Sequence, residues 1–260
     1  MSTIRRQERT YRGSTYHVYY DGRKQIPGVT TILNGGLPKP ALVGWAARSC
    51  AEYVVNDWDQ LEGMTPTQRL DAVKTAPDRA RNTAAARGTD IHGYGEALAH
   101  GGEVTVPDEI LGPVQAYARF LDAWDVQPLH VESTVVNRRR GYAGTLDLVA
   151  DIGGVHWLLD IKTGKDVYDD VALQLAAYRY ATTITGPDDT ETDMPSIEQV
   201  GVIHVAPDTA RLVPVRADPA AFRQFLYILE TYKWVAANRD DSPIRPALDD
   251  PPGPRLEVVR

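Results

Sequence analysis

Asp147, Asp160 and Lys162 stand in one stretch of otherwise apolar sequence, GYAGTLDLVADIGGVHWLLDIKTGK at residues 141–165. Gly153-Gly154 is a favoured two-residue hairpin turn, because both central positions of a type I′ turn need positive φ. With that turn, paired residues have numbers summing to 307, so Asp147 faces Asp160 and Thr145 faces Lys162. Period-2 alternation sends Leu146, Leu148 and Ala150 to the other face with Trp157, Leu159 and Ile161, a coherent buried surface segregated from the polar set. The count extends to the preceding strand. A four-residue connection at Arg138–Gly141 makes pairs sum to 279 and sets Glu132 opposite Asp147. Three carboxylates across three adjacent strands repel one another and need a counter-charge. A hard divalent cation supplies it, and carboxylates with retained waters suit Mg²⁺. The plainer reading is a solvated polar hairpin face on which Lys162 is a cross-strand ion-pair partner.

The elements that must position these residues change character midway along the chain. Residues 11–33 read as strands around a turn at Asp21-Gly22, with Val29–Leu33 resuming an apolar stretch after Pro27-Gly28. Helices are expected at 39–57, 65–76, 77–100 and 107–125. The second half turns to strands at 130–137, 142–151 and 155–162, a helix at 169–182, and a polar loop at 186–196. Strands at 199–206 and 210–216 and a helix at 218–237 complete it. Helices flanking a central, partly antiparallel sheet make a mixed α/β domain with a helical N-terminal portion.

Bulk properties bound the chemistry. At 260 residues, 43% hydrophobic and 24% charged, the chain is ordinary globular material able to bury a core. Its opening residues lack the apolar segment of a signal peptide and no apolar run reaches bilayer length, so a cytoplasmic protein without membrane contact is expected. The single cysteine, Cys50, excludes an internal disulfide and any four-cysteine cluster, which leaves oxygen and nitrogen ligands for a metal. A net charge of −7 weighs against a protein coated in nucleic acid but not against a locally basic cleft.

Taken in order, Gly88-Thr89-Asp90-Ile91-His92, Glu132, Gly144-Thr145-Leu146-Asp147, Asp160-Ile161-Lys162 and Gln174-Leu175-Ala176-Ala177-Tyr178 resemble the motifs of the RecB-type branch of the PD-(D/E)xK nuclease superfamily. That branch includes lambda-type exonucleases and CRISPR-associated iron-sulfur nucleases. The resemblance spans residues 87–180 and implies a restriction-endonuclease-like α/β fold, a mixed central sheet flanked by helices. It implies His92, Asp147, Asp160 and the Ile161 carbonyl as ligands of Mg²⁺ or Mn²⁺, with Glu132 for a second ion. Lys162 would orient or activate the attacking water and stabilise phosphate charge, and Gln174 and Tyr178, four apart on one helix face, would position it or the substrate. Arg87, Arg138, Arg139, Arg140 and Lys165 are candidates for gripping DNA phosphates. Asp160 stands where glutamate is commoner, and the cysteines of the iron-sulfur subgroup are absent, so no iron-sulfur cluster is expected.

The expected organisation is therefore a flexible N-terminus at 1–10, one nuclease domain at 11–238 and a Pro-rich tail at 239–260. Within that domain, 11–125 supplies the N-terminal hairpin and helices and 126–238 the catalytic core. The implied activity is a metal-dependent deoxyribonuclease, an exonuclease of recombination, repair or phage DNA processing that leaves 5′-phosphate and 3′-hydroxyl ends. Its setting would be a bacterial or phage-infected cytosol, with DNA as partner and room for a single-strand annealing protein and a homo-oligomer. The competing readings are a structure-specific or restriction-type endonuclease, a non-cutting DNA-binding scaffold, and a small-molecule phosphoesterase.

Overall fold

The structure is a computed structural model that describes residues 4–11, 14–99, 105–186, 190–239 and 241–245. Within the long helix α4 (Pro66–Ala99), side chains 84–87, 89–92, 95–96 and 98–99 lie outside that description. The described strands form two sheets. The smaller runs β1 (Ile4–Tyr11), β2 (Ser14–Asp21), β3 (Lys24–Ile26), all antiparallel. The larger holds β4 (Gln127–Asn137), β5 (Tyr142–Ile152), β6 (Val155–Lys162), β7 (Thr183–Thr185), β8 (Glu191–Asp193), β9 (Gln199–Val205) and β10 (Ala210–Pro214), in the order β10-β9-β6-β5-β4-β7-β8. Only the β6–β9 pairing in this seven-stranded sheet is parallel. The chain is thus α/β, with a mixed sheet flanked by helices.

The turn arithmetic holds for the rungs nearest each turn, but the expected Asp147–Asp160, Thr145–Lys162 and Glu132–Asp147 pairs are not formed, because β5 and β6 part after Leu148↔Leu159 and Glu132 is skipped. β5 and β6 pair from Leu148↔Leu159 to Ile152↔Val155, and Gly153 and Gly154 have φ of 64° and 83°, as a type I′ turn demands. β4 and β5 pair in the expected register from His130↔Val149 to Asn137↔Tyr142. Val149, Leu158, Val200 and Val202 pack beneath α1 (Val29–Gly36), α6 (Asp170–Arg179) and α7 (Pro219–Ala237). Leu148, Ala150, Leu159 and Ile161 pack beneath α5 (Asp108–Ala123) through Tyr117 and Phe120. Both faces are therefore covered, and the polar set lies on a helix-roofed face rather than on a solvated one. Leu146 also departs from expectation by joining the α6 side, because alternation reverses between it and Leu148.

Other departures have local causes. Residues 4–10, expected to be flexible, belong to β1 and pair with β2 from Ile4↔Asp21 onward. Its RRQERT run has no apolar alternation; backbone pairing holds it, with Ile4 buried at one end against Tyr19, Ile26, Val136 and Ala143. Val29–Leu33 is helical because Val29, Ile32 and Leu33 share one buried helix face. Helix α2 (Pro40–Asn56) follows as expected, then a short α3 (Trp58–Glu62). The two helices expected at 65–76 and 77–100 are one, α4 (Pro66–Ala99), with Pro77 inside it. Proline lacks the N–H that would bond the carbonyl four residues earlier, that of Val73. The Cys50 thiol of α2 donates to this Val73 oxygen at 3.3 Å, and Arg79 reaches back to the Ala72 carbonyl at 3.0 Å. The polar loop at 186–196 contains the short strand β8. Among the described residues no helix is long and apolar enough to cross a membrane.

Candidate functional site

Asp160 sits on β6 between β5 and β9, and is 1% exposed. A carboxylate so placed needs polar partners. Gln174 of α6 donates from Nε2 to Asp160 Oδ1 at 2.9 Å, and Lys162 Nζ lies 2.6 Å from Oδ2. Gln174 Nε2 also approaches the Tyr178 hydroxyl at 3.4 Å. The four-residue spacing on α6 thus places amide and phenol together over the end of β6. Tyr142 secures that helix from below by donating to the Ala177 carbonyl at 2.8 Å. Gly144 allows the close approach: a Cβ there would stand 2.5 Å from Tyr178 Cε1 and 3.2 Å from Val29 Cγ2.

Asp147 lies where the strands part company. The β5–β6 ladder starts at Leu148↔Leu159, and beyond it the Ile161 N–H donates at 2.7 Å to Asp147 Oδ2. A side-chain carboxylate thereby takes a main-chain donor at the fork. Opposite, Glu132 has φ of 46°, uncommon for a non-glycine residue, and it drops out of the β4–β5 pairing that continues on either side. This paired irregularity coincides with the reversal of alternation between Leu146 and Leu148. It brings the Asp147 carboxylate to the Ile161 N–H on the neighbouring strand, which simple alternation does not anticipate.

Electrostatics follow from these contacts. Burial by itself pulls the Lys162 ammonium down, but the Asp160 and Asp147 carboxylates outweigh it and hold its pKa above the ordinary lysine value. The lysine side chain remains 37% exposed, so it joins the buried Asp160 to solvent. Burial, then the nearby Tyr19, Asp147 and Asp160, raises the Tyr178 phenol well above its usual range. Tyr117 of α5 is raised likewise, by burial first and Asp147 second. Both phenols stay neutral at any ordinary pH.

Residues that sequence reasoning passed over also converge here. The Tyr19 and Thr145 hydroxyls are 2.9 Å apart, and Arg6 Nη1 reaches Thr145 Oγ1 at 3.4 Å and the Glu132 carbonyl at 3.3 Å. Its guanidinium is 3.9 Å from the Glu132 carboxylate. The small sheet therefore delivers a phenol and a cation against β4 and β5. Thr145 had a signal, its expected position opposite Lys162. Arg6 and Tyr117 had none.

The remaining expected residues separate into groups. His92 and Arg87 lie on α4 with side chains outside the described residues. Gly88, one turn before His92, faces Thr163: a Cβ there would stand 3.3 Å from Thr163 Oγ1, so this part of α4 passes the end of β6. Lys165 is exposed in the loop after β6, which His204 steadies with a 2.8 Å contact to the Gly164 carbonyl. Arg138 is engaged by both carboxylate oxygens of Glu191 and by Asp21 at 3.3 Å. Arg139 and Arg140 are exposed in the β4–β5 turn. Five strand residues separate that turn from Asp147, roughly 20 Å at ~3.3 Å per residue, so the arginines do not adjoin the acids. Among the described residues no group of three or more His, Cys, Asp or Glu is arranged to hold a metal ion.

What the arrangement offers is two acidic side chains at a strand fork, an ammonium against one of them, and amide and phenol donors behind. Comparison with known proteins adds nothing to this geometry, since no protein-family model and no curated protein matches the chain.

Proposed function

We propose that this protein is a divalent-metal-dependent deoxyribonuclease with a restriction-endonuclease-like core, an exonuclease of DNA recombination, repair or phage DNA processing. The observation that carries this reading is the meeting of Asp147, Asp160, Ile161 and Lys162 at one fork, backed by Gln174 and Tyr178. These are the positions at which the sequence resembles the RecB-type branch. The donor set suits a hard cation: the Asp147 and Asp160 carboxylates and the Ile161 carbonyl are oxygen ligands, and His92 is the candidate nitrogen. Glu132, with Arg6 against it, is the candidate for a second ion.

Mg²⁺ or Mn²⁺ bound by these residues would lower the pKa of a water and offset charge on the scissile phosphate. The chain's own residues do the rest. Lys162, held 2.6 Å from the Asp160 carboxylate, would stabilise charge developing on the attacked phosphate. Gln174 fixes the Asp160 carboxylate so that Lys162 and the acids keep their spacing. Tyr178, neutral and buried, orients the Gln174 amide. Hydrolysis would leave 5′-phosphate and 3′-hydroxyl ends.

The ligand assignment is tested by Mn²⁺ titration calorimetry of wild type and of Asp147→Asn, with circular dichroism as the folding control. The expected result is a weakened or absent heat of binding in a folded variant. Wild-type Mn²⁺ affinity in Asp147→Asn would overturn the assignment.

A further inference from the structure

We propose that the β4–β5 turn and the adjoining face of α7 form a second contact for substrate, a basic groove that holds single-stranded DNA by its phosphates at a distance from the acids. The inference rests on the nuclease reading and extends it to how a strand is held. Two clefts meet at Arg140. One, of 530 Å³, is lined by Lys24, Arg139, Arg140 and Lys233, with Tyr232 on its wall. The other, of 340 Å³, lies between Arg140, Arg223 and Tyr227.

Charge singles this surface out. The chain as a whole carries −7, so phosphate binding needs cations gathered in one place. The acid lining these clefts is Glu230, already paired with Lys233 at 2.8 Å. Among the described residues Lys24, Arg139 and Arg140 make no ion pair within 4 Å, and Arg223 has only a longer-range attraction to Asp218. The turn is also built to present them. Arg138 is clamped by Glu191 and Asp21, the Arg140 N–H donates to Asn137 Oδ1 at 3.0 Å, and Lys233 donates to the Arg140 carbonyl at 3.4 Å. The backbone is thus fixed while two guanidinium groups project from it.

The aromatic content selects the ligand. Tyr227 is 69% exposed and lies four residues after Arg223, so both occupy one face of α7, with the exposed Trp234 two turns on. An exposed ring beside unpaired cations is the combination that takes unpaired bases by stacking while the cations track the backbone. A fully paired duplex offers no such ring faces. The turn lies roughly 20 Å from Asp147 along the hairpin, at ~3.3 Å per residue, so one strand of several nucleotides would reach both places.

The test is fluorescence anisotropy of a labelled oligothymidylate with the full chain in EDTA, over a range of salt, for wild type, Arg139→Ala/Arg140→Ala, Tyr227→Ala and Glu230→Gln. The double variant should bind about tenfold more weakly or worse, with a log–log salt slope shallower by about 1.4, since each phosphate contact to a single strand contributes about 0.7. Tyr227→Ala should lose about tenfold with little change in slope. Glu230→Gln should bind more tightly, a gain that misfolding does not produce. A double variant with wild-type affinity and slope, or a wild type that does not bind, would overturn the groove. Binding in EDTA is independent of cleavage. Groove-dependent binding by a protein that never cuts would keep this inference and discard the nuclease reading.

Discussion

Gln174→Leu isolates the contact on which the site's geometry depends. The substitution keeps most of the side-chain volume and removes the amide that donates to Asp160 Oδ1 at 2.9 Å. Asp160 is 1% exposed, so water does not readily take the donor's place. A hydrogen bond to a charged group in such a setting contributes about 1.5–3 kcal/mol. Urea denaturation at pH 7 in EDTA should show a loss of that size, and the melting temperature should fall by about 2–4 °C for each kcal/mol. Asp160→Asn removes the charge that needed the donor. The two changes together should therefore cost less than their sum, with a coupling of about 1 kcal/mol or more. Under the nuclease reading, a misplaced Asp160 should also lower turnover at least about tenfold, the equivalent of ~1.4 kcal/mol in the barrier. Strict additivity of the two variants would refute the claim that Gln174 holds Asp160.

Gly144→Ala should destabilise by about 1–3 kcal/mol, because its methyl would meet Tyr178 Cε1 at 2.5 Å in a buried setting; wild-type denaturation would show that the ring gives way. Replacing Gly153-Gly154 by Asn-Gly should leave stability nearly unchanged in the same assay. Ala-Ala there should cost about 1–2 kcal/mol per residue for positive φ. The Arg138 hydrogen bonds hold the Glu191 carboxyl below its ordinary pKa. Its contribution is therefore present above the unfolded value of about 4.3 and is lost as pH falls through the lower folded value. Arg138→Met should be less stable than wild type at pH 7, with the gap narrowing toward pH 2. A gap that stays constant across that range would contradict the pairing.

The readability of this chain follows from which constraints are local. Turn chemistry is local, so Gly153-Gly154 and the four-residue turn at Arg138–Gly141 set the registers of β4, β5 and β6 correctly. The register that leads β5 and β6 up to Asp147 and Asp160 is legible for that reason, whereas the parting of the strands just before that pair is not. Alternation failed at Asp147 because its reversal depends on the paired irregularity at Glu132, which no propensity encodes. The burial of Asp160 was also invisible, since it depends on α6 folding back over β6 rather than on the hairpin itself. Pro77 misled for a related reason. The carbonyl it leaves without its helical donor is bonded by Cys50 of another helix, a tertiary remedy for a local defect. Arg6 and Tyr19 reach the site through a small sheet whose first strand carries no apolar pattern.

The central claim is that the fork at Asp147 and Asp160 hydrolyses DNA with Lys162 as its essential cation. The most direct measurement is digestion of linear duplex DNA, with either its 5′ or its 3′ ends blocked, by wild type and Lys162→Ala in Mg²⁺, Mn²⁺ and EDTA. The expected result is metal-dependent loss of DNA from one unblocked end by wild type, and none by a folded Lys162→Ala. Undiminished digestion by Lys162→Ala, or no cleavage by folded wild type in either metal, would contradict it.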